Sequence, residues 1–320
     1  MATALSTTRY DMRAATVGKY ALFAGGYISK SSFGYSVSSS VDAYNTSLTK
    51  STPTELSYKR CGHAAASVGG YALFAGGASS YNLGFYENLV SAVDAYDASL
   101  TRSAAHIIGA TVAIGGAAVG NYALFAGGTV YSQINKDNVT SDVLAYDPSL
   151  TFTTAPLLSV ARANVKGASA VNYALFAGGR AGSFCTTVDA YNASLTRTTA
   201  TALSSTKNNS AAATVGNHAI FVGNTASADI YDASLTKTSA AILSTARTGL
   251  AATTVGDYAI FSGGGVADFC DASLTRSSIG TSMTGYDMGA ATIGDYALFA
   301  GGHSGEKSDT AYDSVEVYTA

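Results

Sequence analysis

A basic residue recurs eleven positions before a repeated Tyr or His: Arg9, Arg60, Arg162, Lys207 and Arg247. An acid recurs further along each copy, at Asp42, Asp94, Asp189, Asp229 and Asp268. Two chemistries follow. A guanidinium can grip a ligand carboxylate through two parallel N–H donors. Alternatively, each base and acid neutralise one another inside the protein, because a charge near a core needs a partner. In the third copy both partners are lost together, to Thr111 and Leu144, which favours internal pairing. The seventh copy keeps Glu316 opposite Gly285.

Other reactive residues form no obvious set. His63, His106, His218 and His303 are scattered; His218 stands in for an anchor Tyr, and His303 alone makes no acid–base pair. The odd cysteine count, Cys61, Cys185 and Cys270, gives neither a disulfide framework nor metal-ligand spacing. Glu306, Asp309 and Asp313 form the densest acidic stretch and read as a solvated loop. No phosphate loop, HExxH motif or nucleophile elbow occurs. No catalytic residue, cofactor or metal is expected. The Asn-x-Ser/Thr sequons at Asn45, Asn138, Asn192 and Asn208 are what chance provides in so Ser- and Thr-rich a chain.

These residues are positioned by a repeat. YALFAGG occurs verbatim at Tyr20, Tyr71, Tyr122, Tyr173 and Tyr296, with relatives at His218 and Tyr258, spaced 51, 51, 51, 45, 40 and 38 residues apart. Each copy reads as four strands. An Ala-rich run turns at a Gly-first pair, of the type II′ hairpin kind, into the apolar YALFA strand. A VDAY-like strand follows, beginning at Val41, Val93, Val143, Val188, Ala228, Ala267 and Val315. After a D/N-x-S-L-T turn comes a polar, Thr-rich strand. YALFA is apolar on both faces and must be covered on both. Polarity rises from first strand to last, as in a radial blade.

The predicted fold is therefore all-β: one seven-bladed propeller domain of four-stranded antiparallel blades over residues 1–320. The expected blades are 9–57, 58–108, 109–159, 160–204, 205–244, 245–283 and 284–320. The chain ends on a third strand, and Ala2–Ser6 resembles Ala200–Ser204 of a fourth. Residues 1–8 are thus expected to supply the outer strand of blade seven and close the ring.

Composition is consistent with this reading. Of the residues, 47% are hydrophobic and 12% charged, with a net charge of -3. No global basic field exists to hold nucleic acid or an anionic membrane. No signal peptide or membrane-spanning run is visible. Synthesis in the cytoplasm, with a virion-associated or cell-surface destination, is the expectation.

A hydrophobic strand ending in Gly-Gly, a Tyr-Asp turn and an Arg before the first strand resemble the kelch repeat, across the whole chain. The Trp that usually follows the Tyr is missing from every copy, and Asn224 replaces the second Gly of blade five. The near-verbatim units are similar to kelch-like repeats of bacterial and phage proteins. The resemblance implies that Arg9, Arg60, Arg162, Lys207 and Arg247 can reach the mouth of a central channel and grip acidic ligands. It also raises the alternative of an oxidase-type enzyme with copper held by Tyr, His and Cys near that mouth, although no such set can be assembled.

Length variation is confined to one loop type. The gap between second and third strands holds 14, 15, 14, 8, 3, 2 and 12 residues in blades one to seven. The longer loops carry Tyr27, Phe33, Tyr35, Tyr81, Phe85, Tyr86, Tyr131 and Tyr312. Tyr gives large contact area at low entropy cost. The expectation is a non-enzymatic recognition module that presents these loops on one face to a protein or a glycan, as in a phage tail component or a bacterial adhesin. A structural spacer is the remaining alternative, and the sequence is silent on oligomeric state.

Overall fold

The computed structural model describes residues 2–31, 34–82, 85–130, 138–207, 211–281, 284–305 and 310–319, and of 29–31 only the backbone. Two of the expected loop aromatics, Phe33 and Tyr131, and the acidic residues Glu306 and Asp309 lie outside the described residues.

Seven innermost strands, Arg13–Val17, Ala64–Val68, Gly115–Val119, Lys166–Ala170, Ala211–Val215, Ala251–Val255 and Gly289–Ile293, stand around one axis. Each touches its two neighbours, and the seventh touches the first. From each a sheet runs outward. The first six blades are antiparallel and four-stranded; in blade one the order is Arg13–Val17, Tyr20–Ala24, Val41–Asn45, Lys50–Ser51. Among the described residues no helix is long and apolar enough to cross a membrane.

The second strands show why the blades must be stacked. Ala21, Leu22, Phe23 and Ala24 are all fully buried. Successive side chains of a strand point to opposite faces. Phe23 therefore joins the apolar cluster shared with blade seven, and Leu22 the cluster shared with blade two. Seven such clusters exist, one for each neighbouring pair of blades.

The D/N-x-S-L-T turn is held by its first side chain. Asp97 Oδ1 accepts the N–H groups of Ser99 and Thr101, each at 2.9 Å, while Leu100 adopts a left-handed φ of 65°. Leu48, Leu150, Leu195, Leu235 and Leu274 repeat that conformation.

A second repeated device binds the innermost strands together. Ser67 Oγ donates to the Thr16 carbonyl at 2.6 Å, Ser169 Oγ to Ala118 at 2.6 Å, Thr214 Oγ1 to Ser169 at 2.6 Å, and Thr16 Oγ1 to Thr292 at 2.8 Å. Thr254 bonds the Thr214 carbonyl and Thr292 the Thr254 carbonyl in the same way. Every hydroxyl reaches the preceding blade, and only Ala118 lacks one.

Closure differs in detail from the expectation. The last sheet has three strands, Gly289–Ile293, Tyr296–Ala300 and Val315–Thr319. The N-terminal segment lies beside it without forming a regular fourth strand. Ala2 N–H donates to the Val315 carbonyl at 3.2 Å and Leu5 N–H to Asp313 at 2.8 Å. The same bonds in blade two run from Ala105 to Val93 and from Ile108 to Ser91. Ala2 thus matches Ala105, which follows the paired outer strand Arg102–Ala104. The described segment starts where the outer ladder stops. Leu5 is buried in the cluster between blades seven and one, so the segment still seals the ring.

Candidate functional site

Of the five basic residues singled out from sequence, four are buried away from the channel mouth, and Arg247 is partly exposed in a pocket it shares with Gly249, Asp287 and His303. Arg9, Arg60 and Arg162 are fully buried, and Lys207 nearly so. Each pairs with the third-strand acid of its own blade: Arg9 with Asp42, Arg60 with Asp94, and Arg247 with Asp268. Arg162 Nη1 lies 2.9 Å from Asp189 and Lys207 Nζ 3.4 Å from Asp229. The guanidinium of Arg9 also donates to the carbonyls of Gly25 and Ser40 at 3.1 and 2.7 Å, fixing the root of the variable loop. Each acid further accepts from a Ser three residues before the base; Ser57 N–H and Oγ meet Asp94 at 3.1 and 3.0 Å. The basic side chains therefore turn into the blades, where the acid and loop carbonyls take most of their N–H groups, leaving Arg9 Nε and Arg247 Nε and Nη1 without a partner among the described residues.

The loops of blades one and two are hairpins, not open coils. Tyr27–Ser31 pairs with Gly34–Val37, and Ala78–Asn82 with Phe85–Leu89. The two hairpins join at Tyr35↔Tyr81 into one four-stranded sheet over the loop-bearing face. Tyr27 stacks on Tyr10 with ring centroids 5.1 Å apart and meets Tyr81 at 5.8 Å; Tyr81 meets Tyr35 at 5.3 Å and Tyr86 at 4.9 Å. Such ring pairs add about 0.5–1.5 kcal/mol each beyond area burial. Burial raises the phenol pKa values of Tyr27 and Tyr86, and pushes the neighbouring Cys61 thiol up to about 12, so all three stay protonated at neutral pH.

The remaining predicted aromatics lie elsewhere. Phe85 is exposed on the outer edge of the hairpin sheet, and Tyr312 sits where its carbonyl accepts Arg9 N–H at 2.9 Å. Blades five and six have almost no loop; in blade six Gly263 pairs directly with Val266. The face therefore has a tall side over blades one and two and a low side over five and six.

Between these sides the channel opens into a cavity of about 300 Å³. Its wall is Tyr10, Tyr27, Tyr35, Tyr81 and Tyr86, and its floor and rim carry Asp11, Arg13, Asn164, Lys166 and Asp287. The rim residues share one backbone state. Asp11, Gly62, Ala113, Asn164, Gly249 and Asp287 all have φ between 51° and 66°. Each stands two residues after the basic position, where the chain bends into the innermost strand. Neighbouring rim residues are linked: Asp11 N–H donates to Asp287, Asp287 to Gly249, Ala113 to Gly62 and Asn164 to Ala113, all at 2.7 Å. A non-glycine residue in this region costs about 1–2 kcal/mol. The rim is thus held by these bonds against its local preference.

The charges of the mouth are partly paired. Arg13 Nη1 lies 2.7 Å from Asp11 Oδ1. Burial opposes the Arg13 charge, but Asp11 more than compensates, and the pKa of Arg13 lies above its usual value. Asp287 Oδ2 lies 3.1 Å from His303 Nε2. Burial opposes the Asp287 charge too, yet the bond to His303 holds its pKa below the ordinary value, and the same bond raises that of His303. Lys166 has no hydrogen bond or ion pair among the described residues. Burial first, and Arg13 second, lower its pKa.

Below the mouth, a cavity of about 250 Å³ is walled by small residues such as Ala64, Gly116, Gly167 and Ala212, with Arg13 and Lys166 also lining it. Those two side chains therefore stand between the chambers. Their signal in the sequence is one of exception. Seven positions before each anchor the other copies carry Ala64, Gly115, Ala211, Ala251 and Gly289, and only Arg13 and Lys166 are charged. Among the described residues no group of three or more His, Cys, Asp or Glu is gathered as a metal set.

No protein-family model and no curated protein matches the chain in sequence. Among solved structures, 994 chains match, so the architecture is widely shared. One is entitled "Structure of YjhT", with TM-score 0.63 and 12% identity, covering 99% of this chain and 97% of that one. At that identity the likeness speaks for the fold alone.

Proposed function

We propose that this propeller is a recognition module of kelch-like type whose channel mouth, on the loop-bearing face, receives a glycan. The observation that carries the reading is the tyrosine-walled cavity over a polar floor. Aromatic faces suit the apolar C–H surfaces of a sugar ring, and Asp11, Asn164, Lys166 and Asp287 supply the few oriented polar groups that a specific pocket needs. The kelch resemblance supports the assignment of the blades, and the adhesive role on a phage or bacterial surface extends the same idea: near-identical wedges with variation left to one face.

The test is retention on an immobilised glycan array by the wild-type chain and by Asn164→Tyr. Asn164 is exposed on the rim, so a bulky ring there fills the mouth with little effect on the core, at a backbone cost of about 1–2 kcal/mol because the position is left-handed. Glycan binding by the wild type, lost in an Asn164→Tyr variant that still unfolds cooperatively with only that small loss of stability, supports the reading. Absence of any glycan ligand, or binding indifferent to Asn164, overturns it.

A further inference from the structure

Among the described residues, Lys166 is the one charged group of the mouth with no hydrogen bond or ion pair. It sits on the innermost strand of blade four, where the equivalent residues of other blades, Arg13 apart, are Ala or Gly. Both floor acids are already engaged, Asp11 by Arg13 and Asp287 by His303. An ammonium in such a half-buried place is costly, since it loses hydration, and Asp11 and Asp287 favour its charge only at a distance, without an ion-pair contact. A small residue would fit the fold at least as well, as the neighbouring blades show. We propose that Lys166, with Arg13 beside it, forms a subsite for the carboxylate of a ligand that enters the tyrosine-walled mouth, so that the glycan recognised is an acidic one.

The proposal rests on the glycan reading above and specifies its ligand class. The geometry sets the order of contacts. A ligand entering from the loop face passes Tyr35, Tyr81 and Tyr86 before it meets Lys166, which separates the mouth from the narrower chamber beneath. The acidic group therefore leads, the sugar ring follows against the aromatic wall, and the rest of the chain projects out over the low side of blades five and six. A charged hydrogen bond of this kind is the stronger sort.

The experiment compares wild type, Lys166→Gln and Lys166→Arg on an array of hexuronate-terminated, sulfated and neutral glycans. Hexuronate-terminated glycans are expected to bind the wild type, to bind Lys166→Gln at least about tenfold more weakly, and to regain most affinity in Lys166→Arg. Lys166→Gln should melt at the same temperature as wild type or higher, because the unpaired charge is gone; a structural role would move it the other way. As an independent readout, glucuronate should shield Lys166 from trinitrobenzenesulfonate labelling, measured by mass spectrometry, whereas glucose should not. Preference for neutral glycans, equal retention by Lys166→Gln, or equal labelling with and without glucuronate overturns the subsite while leaving the glycan reading standing. Selection of sulfated over hexuronate ends overturns the carboxylate assignment. No glycan binding at all overturns both.

Discussion

The hydroxyl of Thr16, in the first blade, donates to the backbone carbonyl of Thr292, in the last, across 2.8 Å and 276 residues of sequence. This single bond is one step of a ring that joins each blade to the one before it, with a gap between blades three and two, where Ala118 has no hydroxyl to offer.

Ala118→Ser is expected to complete the ring by reaching the Ser67 carbonyl. A net hydrogen bond contributes about 0.5–1.5 kcal/mol. Calorimetry should show a small rise in unfolding temperature. Thr16→Val, which strands the Thr292 carbonyl, should cost about 1–3 kcal/mol. A destabilised Ala118→Ser would count against the ring as a source of stability.

Breaking a buried ion pair should cost far more than removing it whole. Arg162→Met leaves the fully buried Asp189 with only the partly exposed Arg197 and the Ser159 donors to balance it, at a cost toward the lower end of the range of about 3–5 kcal/mol for a fully uncompensated buried charge. Arg162→Met with Asp189→Leu should recover much of that loss, although the Ser159 N–H and Arg197 then lose their acceptor. Blade three already lives with such an exchange, in Thr111 and Leu144. Denaturant unfolding of the two single variants and the double gives the coupling.

The Asp287–His303 pair makes the mouth sensitive to pH. His303 has a raised pKa, so its contribution to stability is whole below its ordinary value of 6.5 and fades as pH rises through the folded value above it. Asp287 has a lowered pKa, so its share is whole above 3.8 and fades as pH falls through the folded value below it. The pair therefore contributes most between 3.8 and 6.5. Proton NMR should place the His303 titration above 6.5, and Asp287→Asn should bring it back down. His303→Gln should flatten the alkaline limb of the melting-temperature profile.

Removing residues 2–8 should weaken the seam between blades seven and one. Leu5 leaves a buried site, Thr3 no longer accepts the Tyr44 hydroxyl at 2.7 Å, and Ser6 no longer donates to Asp42. Burying a Leu contributes about 1.5–3 kcal/mol, and a bond to a charged acceptor about 1.5–3 kcal/mol. A fall in stability of about 4 kcal/mol is expected from the two together. Adding the matching peptide in trans should restore part of it; unchanged melting after truncation would show that the ring closes without the segment.

The wedges were legible because their signals are local: a Gly turn, a doubly apolar YALFA, and an Asx turn within a few residues of one another. Pairing of the basic and acidic positions could be inferred because Thr111 and Leu144 change together. The mouth was harder to foresee. Tyr35 and Tyr81 meet through a single bridge between two loops, and nothing in either loop names the other. The hydroxyls of Thr16 and Ser67 look like ordinary polar residues in an Ala-rich run until the strands stand side by side. Arg13 and Lys166 were visible as exceptions, but only alignment by the anchor brings out their register. The more regular basic series, Arg9, Arg60, Arg162, Lys207 and Arg247, is regular because its job is common to almost every blade and therefore structural.

Each hydroxyl of the ring that includes Thr16 and Ser67 reaches the backbone of only the wedge immediately behind it. A contact defined between successive neighbours carries no tally of how many neighbours there are. The circle's membership is set by the angle at which flanks meet, not by its fasteners. A gene that duplicated or lost one whole unit would therefore keep every fastener intact, and would need to change only the packing of Phe and Leu between flanks to close at a different size.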